Sequence, residues 1–193
     1  TYKCDISKKD DRAQLKKWIL ENHPSLNILI NNAAIVHKIN LISDDNFFDS
    51  LISEVDTNLI APIDLINLLL PVISKNSNSK IINITTGLIY APRIIYPYYN
   101  ATKSALHSYT KVLRAQLNNK STKVIEVMFP AVNTPWHMGN PPSIALSPEK
   151  AIDEMMKCLI KEKEEIKIGG VKILYILSRI APKFAFKKIN SIK

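Results

Sequence analysis

Hydrophobic and polar positions along the chain switch between two periods. Three short runs are apolar almost without a break: Asn27-Ile28-Leu29-Ile30-Asn31, Lys80-Ile81-Ile82-Asn83-Ile84-Thr85 and Lys123-Val124-Ile125-Glu126-Val127-Met128. Runs of this length, rich in β-branched residues and edged by polar ones, predict strands buried on both faces of a parallel sheet. The intervening segments follow the helical period. Leu15, Trp18 and Ile19 mark the inner stripe of a helix over about residues 8–21. Residues 45–75 carry a long helical pattern through Leu59, Ile63, Ile66, Leu69 and Leu70, and Pro62 inside it predicts a kink or interruption. A third helix is expected over 99–117, through Ala105, Tyr109, Val112, Leu113 and Leu117. Strand–helix–strand alternation predicts right-handed crossovers, hence an α/β fold with a doubly wound parallel sheet and helices on both faces.

Beyond Met128 the pattern dissolves into a stretch with Pro130, Pro135, Pro141, Pro142 and Pro148. A loop of this length in a compact domain is a candidate lid or binding loop, here 130–148. Ser147-Pro148-Glu149 predicts a helix start, with Ser147 as N-cap and Pro148 at the first helical position. That helix is expected to run to about Lys163. A last helix over 171–188, with Leu174, Leu177, Ile180, Ala181 and Phe184, is expected to break or bend at Pro182. With 193 residues and no internal repeat, the chain predicts one domain.

Charge changes this picture in one place. The formal net charge is +9, and residues 157–193 hold ten Lys/Arg against three Asp/Glu. Four of the 26 basic residues are arginine, the side chain that reads guanine and stacks on bases, so no nucleic-acid partner is expected. The basic segment 171–193 predicts a solvated tail, with weak contact to an anionic membrane surface as the alternative. No apolar run reaches the roughly 18–20 residues that span a bilayer, so no transmembrane segment is expected. Cys4 and Cys158 make neither a disulfide framework nor a metal spacing, which predicts a cytoplasmic location and no metal site.

Candidate chemistry lies in Tyr99-Asn100-Ala101-Thr102-Lys103. Positions four apart share a helix face. A lysine beside a phenol favours the phenolate and lowers its pKa, giving a proton donor or acceptor for a carbonyl/alcohol pair. With 7 Tyr and 22 Lys, about 0.8 such pairs arise by chance, so the pair alone is a weak signal. Thr86 lies thirteen residues earlier, at the end of the second apolar run. The carboxyl edge of such a sheet is where ligands bind. His107 and Tyr109 are expected to pack, while His37 and His137 could approach a substrate from loops.

Asn31-Asn32-Ala33-Ala34, Asn58, Asn83-Ile84-Thr85-Thr86-Gly87, Tyr99-x-x-x-Lys103 and Pro130-Ala131-Val132-Asn133-Thr134, in this order and spacing, resemble the short-chain dehydrogenase/reductase family. The stretches Tyr99–Leu117 and Glu126–Thr134, with the tail Leu174-Tyr175-x-x-Ser178-Arg179-Ile180-Ala181-Pro182, resemble its DltE-like bacterial oxidoreductases. The resemblance implies a Rossmann-like fold and an NAD- or NADP-dependent oxidoreductase. Hydride would pass between nicotinamide and a small carbonyl or alcohol substrate. It implies Tyr99 as acid/base and Lys103 as the group that lowers its pKa and holds the nicotinamide ribose. Thr86 would stand for the usual Ser that positions the substrate oxygen, and Asn58 for the Asn that holds a relay water. Asp5, Asn31, Asn32, Ala33, Ala34, Pro130, Val132 and Thr134 would contact the cofactor, Asn31 also tying neighbouring strands. A homo-oligomer through helices at 56–73 and 99–117 is implied too. A truncated, inactive relative serving as a binding or structural module is the competing expectation.

Glycine bears on that competition. The chain has 4 in 193 residues, at 87, 139, 169 and 170, so no glycine-rich phosphate loop can be drawn. Against the family pattern, the expectation is a single domain starting at the third strand, near Tyr2–Asp5. The first two strands and their glycine-rich turn would then lie upstream.

Overall fold

The computed structural model describes residues 1–45, 47–118, 120–137 and 139–192. Met138 of the expected loop and Lys193 of the tail lie outside the described residues. Four parallel strands stand in the order β1 (Ile28–Asn31), β2 (Lys80–Thr86), β3 (Lys123–Phe129) and β4 (Glu165–Lys167). Sequential order with parallel pairing places a helical crossover between neighbours. The α-helices are α1 (Lys9–Asn22), α2 (Phe47–Val55), α3 (Ala61–Ile73), α4 (Pro97–Gln116), α5 (Pro148–Ile160), α6 (Val171–Ile180) and α7 (Pro182–Asn190).

The β2 and β3 side chains explain the two helical layers. Ile81 and Val124 point to one face and pack with Ile66 of α3 and Leu113 of α4. Their neighbours Ile82 and Ile125 point to the other, against Ala151, Met155 and Leu159 of α5. Helix α1 extends the first layer, with Ile19 against Leu65, Leu69 and Ile73 of α3. Arg12, itself buried, ties α1 to α3 through Asp64 at 2.5 Å and accounts for a charge inside that layer.

Three expectations need correction. The first apolar run is an edge strand, not a doubly covered one: Ile28 is 40% and Ile30 53% exposed, since β1 pairs with β2 alone among the described residues. Tyr2–Asp5 pairs with no strand among the described residues, and it leads into α1. Strand β4 was not expected, because Glu164-Glu165-Ile166-Lys167 reads as a solvated charge run. Only Ile166 of it is buried, and Lys167 is satisfied by Glu165.

The helix break foreseen at Pro62 takes a particular form. Residues Asp56–Ile60 form a π-helical turn joining α2 to α3, with the Ala61 N–H bonded to the Asp56 carbonyl. Pro62 has no N–H for the carbonyl four residues back, and the widened turn absorbs the mismatch. The continuous rod Phe47–Ile73 is 27 residues long and, by length and composition, apolar enough to cross a membrane, contrary to the reading of uninterrupted runs. Here it is a core helix, with Glu54, Asn58, Ile66 and Ile73 fully buried. The tail breaks at Ala181, before Pro182, as its sequence predicts.

Candidate active site

Residues of β2 and α4 meet at the carboxyl end of β2. Thr86, its last residue, is buried and caps a short 3₁₀ turn, its hydroxyl accepting from the Leu88 N–H at 3.3 Å. Tyr99 and Lys103 lie one turn apart on α4, and the Thr86 hydroxyl is near enough to the Tyr99 phenol to favour its ionised form. Pro97 starts α4, a position where its missing N–H costs nothing. Asn100 fixes the start of the helix by clamping Arg93, donating to its carbonyl at 2.7 Å and accepting from its N–H at 3.4 Å.

The electrostatics differ from the expected pair. Burial pushes the Tyr99 phenol up to about 12; the neighbouring Thr86 hydroxyl opposes this, while Glu54 and Tyr96 add to it. Burial brings Lys103 down to about 8. Its Nζ donates to the Ile84 carbonyl at 2.9 Å and lies 5.9 Å from the Tyr99 ring centre. A partly neutral amine at that distance does not offset the desolvation of the phenol, so Tyr99 is raised where the sequence pattern predicted it lowered.

Asn58 sits fully buried in the π-helical turn and spends its amide on the backbone of Ile35. It accepts from the Ile35 N–H at 2.9 Å and donates to its carbonyl at 2.8 Å. A longer contact of 3.4 Å reaches Thr102 on α4. Asn58 thus fixes the segment after β1 against α4. Asn31 donates to Asn83 at 2.8 Å, and Asn83 to Thr110 at 2.9 Å, a line of amides tying β1 to β2 and to α4.

The other candidate residues spread around this centre. Asn31, Asn32 and Ala33 line a cleft of about 200 Å³ with Ile6, Leu29 and Pro62. Ala34 is exposed in the following loop. Asp5, next to Ile6, is exposed. Its carboxylate accepts from the Ser7 N–H at 3.1 Å and hydroxyl at 2.7 Å, bonds that hold it below the usual carboxylate range. Val132 bridges to Leu146, and Pro130 lies against Gly169, so the proline-rich stretch folds back as a closed loop. The Thr134 carbonyl starts a short turn by accepting from the His137 N–H at 3.0 Å. Trp136 in that turn lies 6.1 Å from the Tyr96 ring, which is 6.5 Å from the Tyr99 ring, so the loop borders the Tyr99 site.

Two buried carboxylates were missed. Glu54 accepts at one oxygen from the His37 N–H at 2.7 Å and meets His37 Nδ1 at 2.9 Å; its other oxygen has no hydrogen-bond partner among the described residues. Burial raises its pKa. Glu126, in mid-β3, accepts from Thr85 at 2.5 Å and meets His107 Nδ1 at 2.8 Å. The signal for Glu126 was present: a charged residue inside an apolar run requires a partner, and His107 lies on the Tyr99–Lys103 stripe of α4.

A family model described as short chain dehydrogenase matches residues 1–143. An uncharacterized oxidoreductase, DltE, of Bacillus subtilis (strain 168) is 38% identical over 136 residues, covering 69% of this chain and 53% of that protein. A fatty acyl-CoA reductase of Acinetobacter baylyi is 28% identical over 191 residues, covering 94% of this chain and 62% of that protein. The chain thus spans little more than half the length of these relatives. Among solved structures, a short chain dehydrogenase from Burkholderia cenocepacia J2315, crystallised with NADP, superposes with a TM-score of 0.84 at 19% identity. That superposition covers 99% of this chain and 80% of that one. Motif order, parallel sheet and family match converge: the chain belongs to the short chain dehydrogenase family.

Proposed function

We propose that the protein carrying this chain is an NAD(P)-dependent oxidoreductase that interconverts a carbonyl and an alcohol, with Tyr99 as proton donor and acceptor. The carrying observation is the meeting of Thr86, at the carboxyl end of β2, with Tyr99 and buried Lys103 one helical turn apart on α4, Lys103 donating to the Ile84 carbonyl at 2.9 Å. A phenol held near 12 is protonated at neutral pH, which suits donation to a carbonyl oxygen and hence the reductive direction. Thr86 would hold that oxygen beside the phenol. Lys103 uses one donor on Ile84, and its ammonium has two more for a ribose hydroxyl. A bound nicotinamide cofactor supplies the hydride.

The residues present fit one end of such a cofactor. Lys103 and Thr86 would hold the reacting end and the Val132–Thr134 backbone would meet it from the proline-rich loop, while the Asn31–Ala33 cleft would take more of it. A pyrophosphate grip of the glycine-rich type is not in the sequence. Asn58 serves by holding the Ile35 segment rather than by touching Tyr99 or Lys103. The same proposal includes subunit pairing through the π-helical turn with α3 (56–73) and through α4, where Ile60 and Val112 are exposed apolar residues, and a cytoplasmic setting in which Cys4 and Cys158 stay free.

The test uses the full-length gene product. NADH and NADPH titrations followed by fluorescence report binding, and cofactor absorbance at alkaline and neutral pH reports turnover on aldehydes and ketones. Tyr99→Phe is expected to remove turnover by at least about 100-fold while leaving cofactor affinity within about twofold. Undiminished turnover in Tyr99→Phe would refute the assignment.

A further inference from the structure

Helices α6 and α7 form a surface that the proposed reaction does not use. From Val171 to Ile192 the sequence has five Lys/Arg and no Asp or Glu. Exposed residues on α6 are Lys172, Ile173, Ile176, Arg179 and Ile180, spaced three and four apart, so they share one side of the helix. On α7, Lys183, Phe184, Phe186, Lys187 and Lys188 are exposed while Ala185 is buried. The apolar members are not marginal: Ile173 is 64%, Ile180 78% and Phe184 56% exposed. Large aliphatic and aromatic side chains standing in water beside unneutralised lysines need a partner that is apolar beneath and anionic above. Lys183, Lys187 and Lys188 make no ion pair among the described residues.

We propose that α6 and α7 dock on an anionic lipid bilayer, Ile173, Ile176, Ile180 and Phe184 entering the acyl boundary and Lys183, Lys187 and Lys188 lying at the headgroups. Charge complementarity selects this occupant. Lys172 is paired with Glu154 of α5, but a second copy would bring the unpaired Lys183, Lys187 and Lys188 of each α7 together, with no carboxylate in residues 171–192 to neutralise them. Nucleic acid would leave the isoleucines in water. Exposed Ile and Phe interleaved with basic residues suit a membrane interface, where the apolar side chains enter the acyl boundary and the long lysine stems reach up to the headgroups.

The surface is mechanically joined to the catalytic side. Asn190 of α7 donates to the Pro92 carbonyl at 3.1 Å and accepts from the Ile94 N–H at 2.7 Å. Arg93 donates to the Ile192 carbonyl at 2.7 Å, and Asn100 clamps Arg93 at the start of α4. Docking would therefore fix the bearing of the Tyr99 site relative to the lipid plane.

Flotation of the full-length protein with phosphatidylcholine vesicles, with and without 30% phosphatidylglycerol, tests this at 0.1 M and 0.5 M salt. Binding is expected to the anionic vesicles, weakened at high salt. Lys183→Gln/Lys187→Gln/Lys188→Gln should weaken it by roughly 100-fold, about fivefold per charge. Ile180→Asp/Phe184→Asp should abolish it. Phe184→Trp, a mild change that preserves the fold, should add an emission component that shifts to the blue on anionic vesicles. Equal binding to neutral and anionic vesicles, or an unshifted emission from the Phe184→Trp variant, would overturn the proposal. So would an oligomer that Ile180→Asp/Phe184→Asp dissociates without any vesicle binding by the parent protein. Tyr99→Phe, expected to lose turnover, should float as the parent does, so failure of the reaction and failure of docking are read separately.

Discussion

Gly87 follows Thr86 directly, and its lack of a side chain is a packing requirement that can be measured. A Cβ built there would lie 2.8 Å from Val171 Cγ2 and 3.3 Å from Cγ1, closer than carbon atoms ordinarily approach. The backbone is not in the left-handed region, so the constraint is purely one of space. Val171 cannot yield easily: it is 2% exposed, opens α6, and is β-branched with a restricted χ1 in a helix. Gly87→Ala must therefore push α6 away from the end of β2. Overpacking of this kind costs about 1–3 kcal/mol, a fall in Tm of roughly 2–12 °C for a chain of this size. Val171→Ala alone removes two buried methyl groups and leaves a cavity, costing about 2 kcal/mol. When the two changes are combined, the methyl added at position 87 enters the space that Val171 vacates. The double variant is then expected to cost about what Val171→Ala costs alone, a coupling of about 1–3 kcal/mol in its favour. Urea unfolding of the four proteins by circular dichroism measures the cycle. Additivity within about 0.5 kcal/mol would show that Gly87 and Val171 do not compete for one space, and the steric reasoning would fail.

Two further outcomes follow from the buried charges. Lys103 falls to about 8 in the fold from 10.5 outside it, so between these values the unfolded chain holds a proton that the folded one has released. Stability contributed at this site therefore rises with pH from 8 toward 10.5, and the gap between Lys103→Met and the parent in urea unfolding should narrow over that range; a constant gap would contradict the assignment. Glu54 contributes to raising Tyr99, so Glu54→Gln should move the alkaline limb of the kcat/KM profile to lower pH, and an unmoved limb would show that its charge does not reach the phenol.

The helices and the two central strands were legible because their inner residues follow a single period. Ile66, Leu69 and Ile73 repeat at helical spacing, and Ile81, Ile82, Val124 and Ile125 are apolar on both sides because both sides are covered. β1 has the same composition, yet Ile28 and Ile30 are exposed, since coverage depends on neighbours that a local pattern does not specify. β4 was hidden for the opposite reason: Glu162, Glu164 and Glu165 crowd its start, and pairing with β3 rather than apolarity makes it a strand. At the site, motif spacing located Thr86, Tyr99 and Lys103, but the direction of the Tyr99 shift depends on burial, which spacing does not carry. Glu54 escaped notice because its partner, His37, lies seventeen residues earlier in a loop.

The free side of β1 has a consequence for handling the polypeptide. Among the described residues its outward N–H and C=O groups have no ladder partner, beside two exposed isoleucines, an arrangement onto which another extended segment can add. No proline or lysine interrupts Ile28–Asn31 to discourage that growth. In a polypeptide of these 193 residues, the margin at Ile28–Asn31 is therefore a place where an added strand, its own or a neighbour's, would extend the sheet.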